Sequence, residues 1–154
     1  MRVKDCMTRK VEWISPNATL REAARRMRDN EVGCLPIGEN DRLIGMITDH
    51  DILSRAVADG KDPATTTARD VMSNGITWCY DDQSLDEAIH LMVTKQIHHL
   101  PAMSRSRCMT GILSLSDIAL RCGERLPVEF FKLLSRDAAR HAAAVAEPSY
   151  AKAS

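Results

Sequence analysis

The sequence has few aromatic residues and no long apolar segment. Phe, Trp and Tyr together make up 4% of the 154 residues, and no run approaches the roughly 18 consecutive apolar residues that a membrane span needs. Residues 1–5 also lack the apolar core of a secretory signal peptide. We therefore expect a cytoplasmic protein without a membrane segment.

Neither sign of charge is in excess. The 21 Lys and Arg residues balance the 21 Asp and Glu residues, and the calculated isoelectric point is near 7.0. Proteins that bind nucleic acids or anionic membranes usually carry a strong basic field. We therefore expect neither a nucleic acid nor a membrane as a partner.

Motifs of catalysis and metal binding are also missing. The sequence contains neither a Gly-x-x-x-x-Gly-Lys-[Ser/Thr] loop nor a Gly-x-Gly-x-x-Gly loop. Its five cysteines include no Cys-x-x-Cys pair, and the group of His98, His99 and Cys108 matches no common zinc pattern. An odd number of cysteines also argues against a disulfide framework. We expect no enzymatic activity and no bound metal.

What the sequence does contain is an internal repeat. Residues 5–36 recur at an offset of 65, which becomes 66 after a one-residue insertion. The identical pairs include the only two tryptophans, a glycine and an aspartate: Trp13/Trp78, Gly45/Gly111 and Asp51/Asp117. We divide the chain into repeat 1 (residues 1–58), a linker (59–67), repeat 2 (68–122) and a C-terminal helix with a flexible tail (123–154).

Each repeat has the pattern strand, helix, strand, strand, helix. Residues 19–22 and 84–87 have the form of capping boxes that open the first helix, and short strands are predicted just before them at 11–14 and 76–79. A unit of this size cannot cover both faces of its sheet alone. The sequence therefore predicts an α/β (α+β) fold, in which two β-α-β-β-α repeats related by a pseudo-twofold axis pack sheet to sheet. This arrangement creates two equivalent clefts between the repeats.

One motif carries most of the chemical information. It is Gly, two apolar residues, Ser or Thr, two variable residues and Asp, and it occurs at 45–51 and 111–117. The motif places a hydroxyl at the end of a strand and a carboxylate in the first turn of the next helix: Thr48 with Asp51, and Ser114 with Asp117. Free amides at a helix start favour phosphate, and a carboxylate can accept hydrogen bonds from ribose hydroxyls. The same residues also suit helix caps, so the spacing leaves both interpretations open.

Further motifs accompany the repeat. They are the Asp-x-Met-[Thr/Ser] segments at 5–8 and 70–73 and the Leu-Pro pairs at 35–36 and 100–101. In combination, residues 1–122 resemble a pair of cystathionine-β-synthase (CBS) domains, the assembly called a Bateman module. The resemblance implies a non-catalytic regulatory module that binds an adenosine-containing molecule. AMP or ATP is preferred to NAD or S-adenosylmethionine, and ADP also belongs to the class. It further implies a homodimer that signals to a separate effector protein.

The resemblance also implies which residues bind the ligand. Asp51 and Asp117 would hold the ribose, with Thr48 and Ser114 close to the ribose or phosphate. The residue His50 stands where the family often has Arg, so phosphate affinity there could depend on pH.

Other residues would contact the phosphates and the base. His98 and His99 correspond to the basic residues that reach the phosphates. We therefore expect tighter phosphate binding in the cleft that contains Asp117, with these two histidines as contacts. The segments 11–15 and 76–80 would line the base, which includes the residues Trp13, Ile14, Trp78 and Cys79. A Trp face could stack on adenine, or both Trp residues could pack between repeats or subunits, and the sequence leaves this open.

Two other functions remain as alternatives. The cysteines and histidines could form a thiol- or metal-responsive sensor, or the chain could be a structural adaptor with degenerate clefts. Outside the repeat, residues 126–140 are predicted to form a helix whose apolar side chains dock on the module, its twin or a partner. Residues 147–154 are expected to be disordered.

Overall fold

The computed structural model describes residues 1–122, 126, 128 and 130–135, and it confirms a mixed α/β fold with two repeats. Repeat 1 comprises α1 (Val3–Cys6), α2 (Leu20–Asp29), β1 (Cys34–Glu39), β2 (Arg42–Thr48) and α3 (Asp49–Ile52), which continues as a π-helical turn over Leu53–Val57. Repeat 2 comprises α4 (Ala68–Val71), β3 (Cys79–Tyr80), α5 (Leu85–Lys95), β4 (His99–Met103), β5 (Met109–Ser114) and α6 (Leu115–Cys122). Among the described residues, no helix is long and apolar enough to cross a bilayer.

Each repeat is built on an antiparallel strand pair, β1 with β2 and β4 with β5. In repeat 2 the short strand β3 adds to β4 in parallel. Its counterpart in repeat 1 is a single parallel bridge between Ile14 and Ile37. The strands predicted at 11–14 and 76–79 are therefore wrong in extent, because only the last residue of each segment comes within hydrogen-bonding distance of the neighbouring strand.

The two repeats exchange their first helices. Val3 and Cys6 of α1 are buried in a core cluster with residues of repeat 2, whereas Ala68 and Val71 of α4 are buried in a cluster with residues of repeat 1. The segments that follow these helices are exchanged in the same way, since Thr8 forms an antiparallel bridge with Ile112 and Ser73 forms one with Met46. Each core is therefore built from both sequence repeats.

Backbone hydrogen bonds at these exchanged helices obey the pseudo-twofold relation. The amide of Val3 donates to the carbonyl of Gln83 at 3.0 Å, and the amide of Ala68 donates to the carbonyl of Ala18 at 2.8 Å. Adding or subtracting 65 converts one pair into the other. The internal repeat of the sequence is thus repeated in the contacts between the two halves of the molecule.

The helix caps match the predicted ones only in part. Thr19 accepts a hydrogen bond from the amide of Glu22, but the Glu22 carboxylate pairs with Arg26 at 2.9 Å instead of reaching back to the cap. Ser84 makes no side-chain cap bond at the start of α5. The predicted cap at Thr19 is confirmed, but the reciprocal Glu22 bond of the box at 19–22 does not form, because the exposed Glu22 pairs with Arg26 one turn along its own helix. The hydroxyl cap predicted in the box at 84–87 is wrong, since Ser84 makes no cap bond.

Residues 128 and 130–135 are helical and lie against repeat 2. Phe130 and Leu133 are buried in the repeat 2 core, at 1% and 2% exposure, whereas Phe131 and Leu134 are 51% and 43% exposed. The predicted docking of this helix is confirmed for its buried face. The predicted continuation to residue 140 and the tail at 147–154 lie outside the described residues.

Candidate functional site

The carboxylate of Asp51 is held at the start of α3. Thr48 Oγ1 accepts from the Asp51 amide at 3.1 Å, and Asp51 Oδ2 accepts from the Thr48 amide at 3.0 Å. The other carboxylate oxygen, Oδ1, lies 3.2 Å from the guanidinium of Arg55 one turn further along the helix. The side chain of Asp51 is therefore fixed in one position although it belongs to only a short helix.

The equivalent carboxylate in repeat 2 is held by a residue of repeat 1. Asp117 Oδ2 accepts from the amide and hydroxyl of Ser114, at 3.0 and 2.6 Å. Asp117 Oδ1 accepts from the hydroxyl of Thr8 at 2.8 Å. Both motif pairs are thus helix caps in geometry, and the Asp117 pair also binds the exchanged segment that follows α1.

Each of the two carboxylates lines a cleft formed by both repeats. The Asp51 cleft has a volume of about 780 Å³, and the Asp117 cleft has a volume of about 460 Å³. Repeat 1 contributes Thr48, His50, Asp51 and Arg55 to the Asp51 cleft, and repeat 2 contributes Ile76, Thr77, His98 and His99. The Asp117 cleft combines Lys10, Glu12, Glu31 and Cys34 of repeat 1 with Ser114, Ser116 and Asp117 of repeat 2, and it also reaches His99.

The two predicted phosphate contacts, His98 and His99, do not both lie where we predicted them, in the Asp117 cleft. His98 lies on the Asp51 cleft and not on the Asp117 cleft, whereas His99 lines both clefts. The reason is that each cleft lies between the last helix of one repeat, α3 or α6, and the segment before β4 or β1 of the other repeat. The segment before β4 therefore faces Asp51, and its counterpart Gly33 faces Asp117.

The predicted base-lining residues Trp13, Ile14, Trp78 and Cys79 do not line either cleft. Ile14 and Cys79 are each 2% exposed and belong to the cores of repeats 1 and 2. The ring of Trp13 occupies the space where Gly38 lacks a side chain, and Trp78 stands edge-on to Tyr80 at 5.0 Å between ring centroids. The preceding residues line the clefts instead: Val11 and Glu12 on one, Ile76 and Thr77 on the other.

Burial sets the protonation of two cleft residues. Burial, together with the neighbouring His98, lowers the pKa of His99, although Asp49 and Asp117 act in the opposite direction. Burial, with smaller effects from Asp49 and Asp51, raises the pKa of the Cys34 thiol to about 12. His99 is thus held as a neutral imidazole and Cys34 as a neutral thiol near pH 7.

Sequence analysis assigned no role to Arg55, which lines the Asp51 cleft, or to its counterpart Arg121, which lines neither cleft. Arg55 donates to the carbonyl of Val71 at 2.8 Å and to the hydroxyl of Ser73 at 3.1 Å, in addition to its ion pair with Asp51. Arg121 donates to the carbonyl of Met7 at 3.2 Å. Arg55 connects an exchanged segment to the continuation of α3, and Arg121 connects the other exchanged segment to α6. The two arginines are identical residues at an offset of 66, which is the signal that could have identified them.

The described residues contain no group of three or more His, Cys, Asp or Glu side chains arranged to hold a metal ion. Of the described thiols, those of Cys6, Cys34 and Cys79 are buried and that of Cys108 is exposed. Cys122 ends α6, and its side chain lies outside the described residues.

Comparison with known proteins defines the family. The model of the CBS domain matches residues 3–58 and 68–123. The chain belongs to the CBS domain family. CBS domain pairs are generally non-catalytic regulatory modules, and the two clefts described above lie between the two members of such a pair.

Two relatives with similar structures differ in what they bind. The chain is 36% identical over 132 residues to hypoxic response protein 1 of Mycobacterium tuberculosis, which covers 85% of this chain and 92% of the relative. A structure of Hypoxic Response Protein I contains two coordinated zinc ions. It has a TM-score of 0.71 and 34% identity, and the match covers 82% of this chain and 100% of that one.

The second relative binds adenosine compounds. The CBS domain pair of protein MJ0100 was solved with 5-methylthioadenosine and S-adenosyl-L-methionine. It has a TM-score of 0.73 and 25% identity, and the match covers 82% of this chain and 98% of that one. Because one relative holds zinc and another holds adenosine compounds, our expectation that this chain binds no metal is not supported by the comparisons.

The thiol chemistry gives a first prediction. In a Cys122→Ser protein at pH 7.5, we expect iodoacetamide to modify one thiol rapidly, that of the exposed Cys108. The thiolate is the reactive form, and burial raises the pKa values of Cys34 and Cys79 to about 12, while Cys6 is fully buried. Peptide mass spectrometry after timed quenching measures the modification. The Cys108→Ser, Cys122→Ser double variant is the control and should react only after unfolding in urea. Rapid labelling of Cys34 or Cys79 in the folded protein would support the thiol-sensor alternative.

Proposed function

We propose that this chain is a cytoplasmic regulatory module that binds an adenosine-containing ligand between its two CBS repeats and passes the signal to a separate protein. The observation that supports this most directly is the pair of clefts, each with a motif carboxylate at its wall. Volumes of about 460 and 780 Å³ lie within the range of small-molecule sites, which is about 300 to 1,000 Å³.

The carboxylates retain capacity for a ligand. An ionised carboxylate offers about four acceptor positions, two on each oxygen. Asp117 uses two on Oδ2 and one on Oδ1 among the described residues, and Asp51 uses one on each oxygen. A ribose hydroxyl could therefore bind to Oδ1 without breaking the cap. We assign this role to Asp51 and Asp117, with Thr48 and Ser114 beside them.

Ligand binding can be transmitted only if it favours one arrangement of the protein over another. The exchanged segments provide such a connection, because Thr8 binds Asp117 and Arg55 joins Asp51 to Ser73. A ligand that forms a hydrogen bond with either carboxylate therefore alters the contact between the repeats. We include a homodimer in the proposal. It is supported by apolar side chains that are exposed on the continuation of α3, Leu53 and Val57, and on α6, Leu120.

The proposal is tested by thermal unfolding with AMP, ADP, ATP, NAD, S-adenosylmethionine and zinc, each added separately. A ligand at 100 times its Kd stabilises the folded state by about 2.7 kcal/mol, which corresponds to a rise in Tm of roughly 5–10 °C for a chain of this size. We expect such a rise for at least one adenosine compound. The double variant His50→Trp, Ser116→Trp should abolish it, because both side chains are exposed and line the two clefts at equivalent positions.

The matched control is His90→Trp on α5, which is exposed and lines neither cleft. It should retain the full ligand-induced rise. A response to zinc without a response to any adenosine compound would contradict the proposal and favour the metal-sensor alternative. A protein that responds to none of these additions would favour the adaptor with degenerate clefts.

A further inference from the structure

Histidines are concentrated on one of the two clefts. Of the five histidines in the chain, His50, His98 and His99 line the Asp51 cleft. The pseudo-twofold counterparts of His50 and His98 on the Asp117 cleft are Ser116 and Gly33, which have no ionisable side chain. The two clefts therefore differ in ionisable groups although they are equivalent in backbone.

We propose that the Asp51 cleft is the phosphate-binding site of this chain, and that it takes up protons when phosphate binds. This inference deepens the proposed function and rests on it for the adenosine part of the ligand. It also reverses our expectation that the cleft containing Asp117 binds phosphate more tightly.

The permanent charges of the clefts support this assignment. The Asp117 cleft has one cation, Lys10, against the three carboxylates of Glu12, Glu31 and Asp117. The Asp51 cleft has one cation, Arg55, against the two carboxylates of Asp49 and Asp51. A phosphate would meet a net negative charge in either cleft if every imidazole were neutral. Two protonated imidazoles reverse the sign only in the Asp51 cleft.

Among the described residues, the charged groups that line this cleft or act on His99 lie on α3 with its continuation and in repeat 2. On α3 and its continuation they are Asp49, Asp51 and Arg55, and the amide of His50 donates to Asp49 Oδ1 at 2.7 Å. From repeat 2, Asp117 favours the charged form of His99, whereas the adjacent His98 disfavours it. The other lining residues from 73–77 and 96–101 are uncharged.

These surroundings give the histidines separate roles. Burial keeps His99 neutral, so it can donate only one hydrogen bond to a ligand oxygen. His50 is exposed, so it can carry a proton at a low solvation cost. His98 and His99 are both partly exposed, and we assign the second proton to His98 because burial lowers the pKa of His99. A protonated imidazole donates through both nitrogens, and its hydrogen bonds to phosphate are charge-assisted.

The direction of the pH effect follows from linkage. A bound phosphate favours the protonated imidazole, so it raises the pKa of that imidazole in the complex relative to the free protein. The affinity for phosphate is therefore highest at pH values below the pKa of the imidazole in the free protein. It falls as the pH rises through the pKa of that imidazole in the complex. The test therefore compares pH values on either side of about 6.5, where the charge of an ordinary imidazole changes.

Isothermal titration calorimetry of the full chain at pH 5.8 and 7.8 tests this inference, with pyrophosphate, ADP and adenosine as probes. We expect pyrophosphate and ADP to bind about tenfold more tightly at pH 5.8 than at pH 7.8, and adenosine to show no such change. Phosphate itself gains a proton near pH 6 and becomes less negative, so its own titration would weaken binding at low pH. Tighter binding must therefore come from the protein.

Variants locate the protons. His50→Gln, His98→Gln should remove the pH dependence, whereas His90→Gln on the outside of α5 should retain it. Phosphate affinity that is independent of pH, or a pH dependence that survives the double variant, overturns the inference. Adenosine binding together with ADP and pyrophosphate affinities that do not change with pH would support the proposed function and overturn the proton-linked phosphate site. Proton-linked pyrophosphate binding without adenosine binding would support the phosphate site and contradict the proposed function. If no probe binds, both proposals are refuted.

Discussion

Replacing Gly111 with alanine is expected to destabilise the protein by about 3 kcal/mol. A Cβ at this position would lie 2.5 Å from the carbonyl oxygen of Thr8 and 2.9 Å from the sulfur of Met7. The Thr8 carbonyl accepts from the amide of Ile112 at 3.0 Å, and the Thr8 amide donates to the Ile112 carbonyl at 2.9 Å. The backbone of Thr8 can therefore move away only by breaking the bridge that joins repeat 1 to the sheet of repeat 2.

The pseudo-twofold relation supplies a matched control. At Gly45 the nearest atom to an added Cβ is the sulfur of Met72 at 2.5 Å, while the backbone oxygen of Ser73 lies at 3.3 Å. A thioether is flexible and can move, so Gly45→Ala should cost only about 1 kcal/mol. Urea unfolding followed by circular dichroism measures both free energies. Equal losses at the two positions would show that the exchanged segment after α1 is not held as the structure describes.

The repeat pattern was sufficient to predict the fold but not the exchange of the first helices. Identical residues at an offset of 65 show that two units are alike, and this is equally true whichever core each segment joins. Val3 and Ala68 are apolar and suit either core. The choice depends on hydrogen bonds between distant backbone groups, such as that from Val3 to Gln83, which leave no mark in the side-chain pattern.

The same limitation explains the misplaced His98. The repeated motif correctly located a carboxylate at each cleft, because a helix cap is specified by four neighbouring residues. We then grouped His98 with Asp117 because both belong to repeat 2, but each cleft takes its two walls from different repeats. The position of Trp13 depended on another distant residue, since its ring needs the space beside Gly38.

Truncation of Phe130 is the second change with a large expected effect. Its side chain is 1% exposed in the core of repeat 2, and Phe130→Ala should cost about 4 kcal/mol, from lost burial and the cavity that remains. The adjacent Phe131 is 51% exposed, with its ring edge-on to Phe130 at 6.0 Å between centroids. Phe131→Ala should cost less than about 1 kcal/mol, which makes it the matched control.

Urea unfolding of these two variants tests whether the helical residues 130–135 belong to the folded module. The cluster that buries Phe130 also contains Val3 and Met7 from repeat 1 and Leu85 from repeat 2. A large loss for Phe130→Ala alone would show that the C-terminal helix stabilises the core that receives the exchanged α1. Similar small losses for both variants would mean that this helix contributes little to the core. Because Thr8 follows α1 and binds Asp117, the first result would also connect the C-terminal helix to the Asp117 cleft.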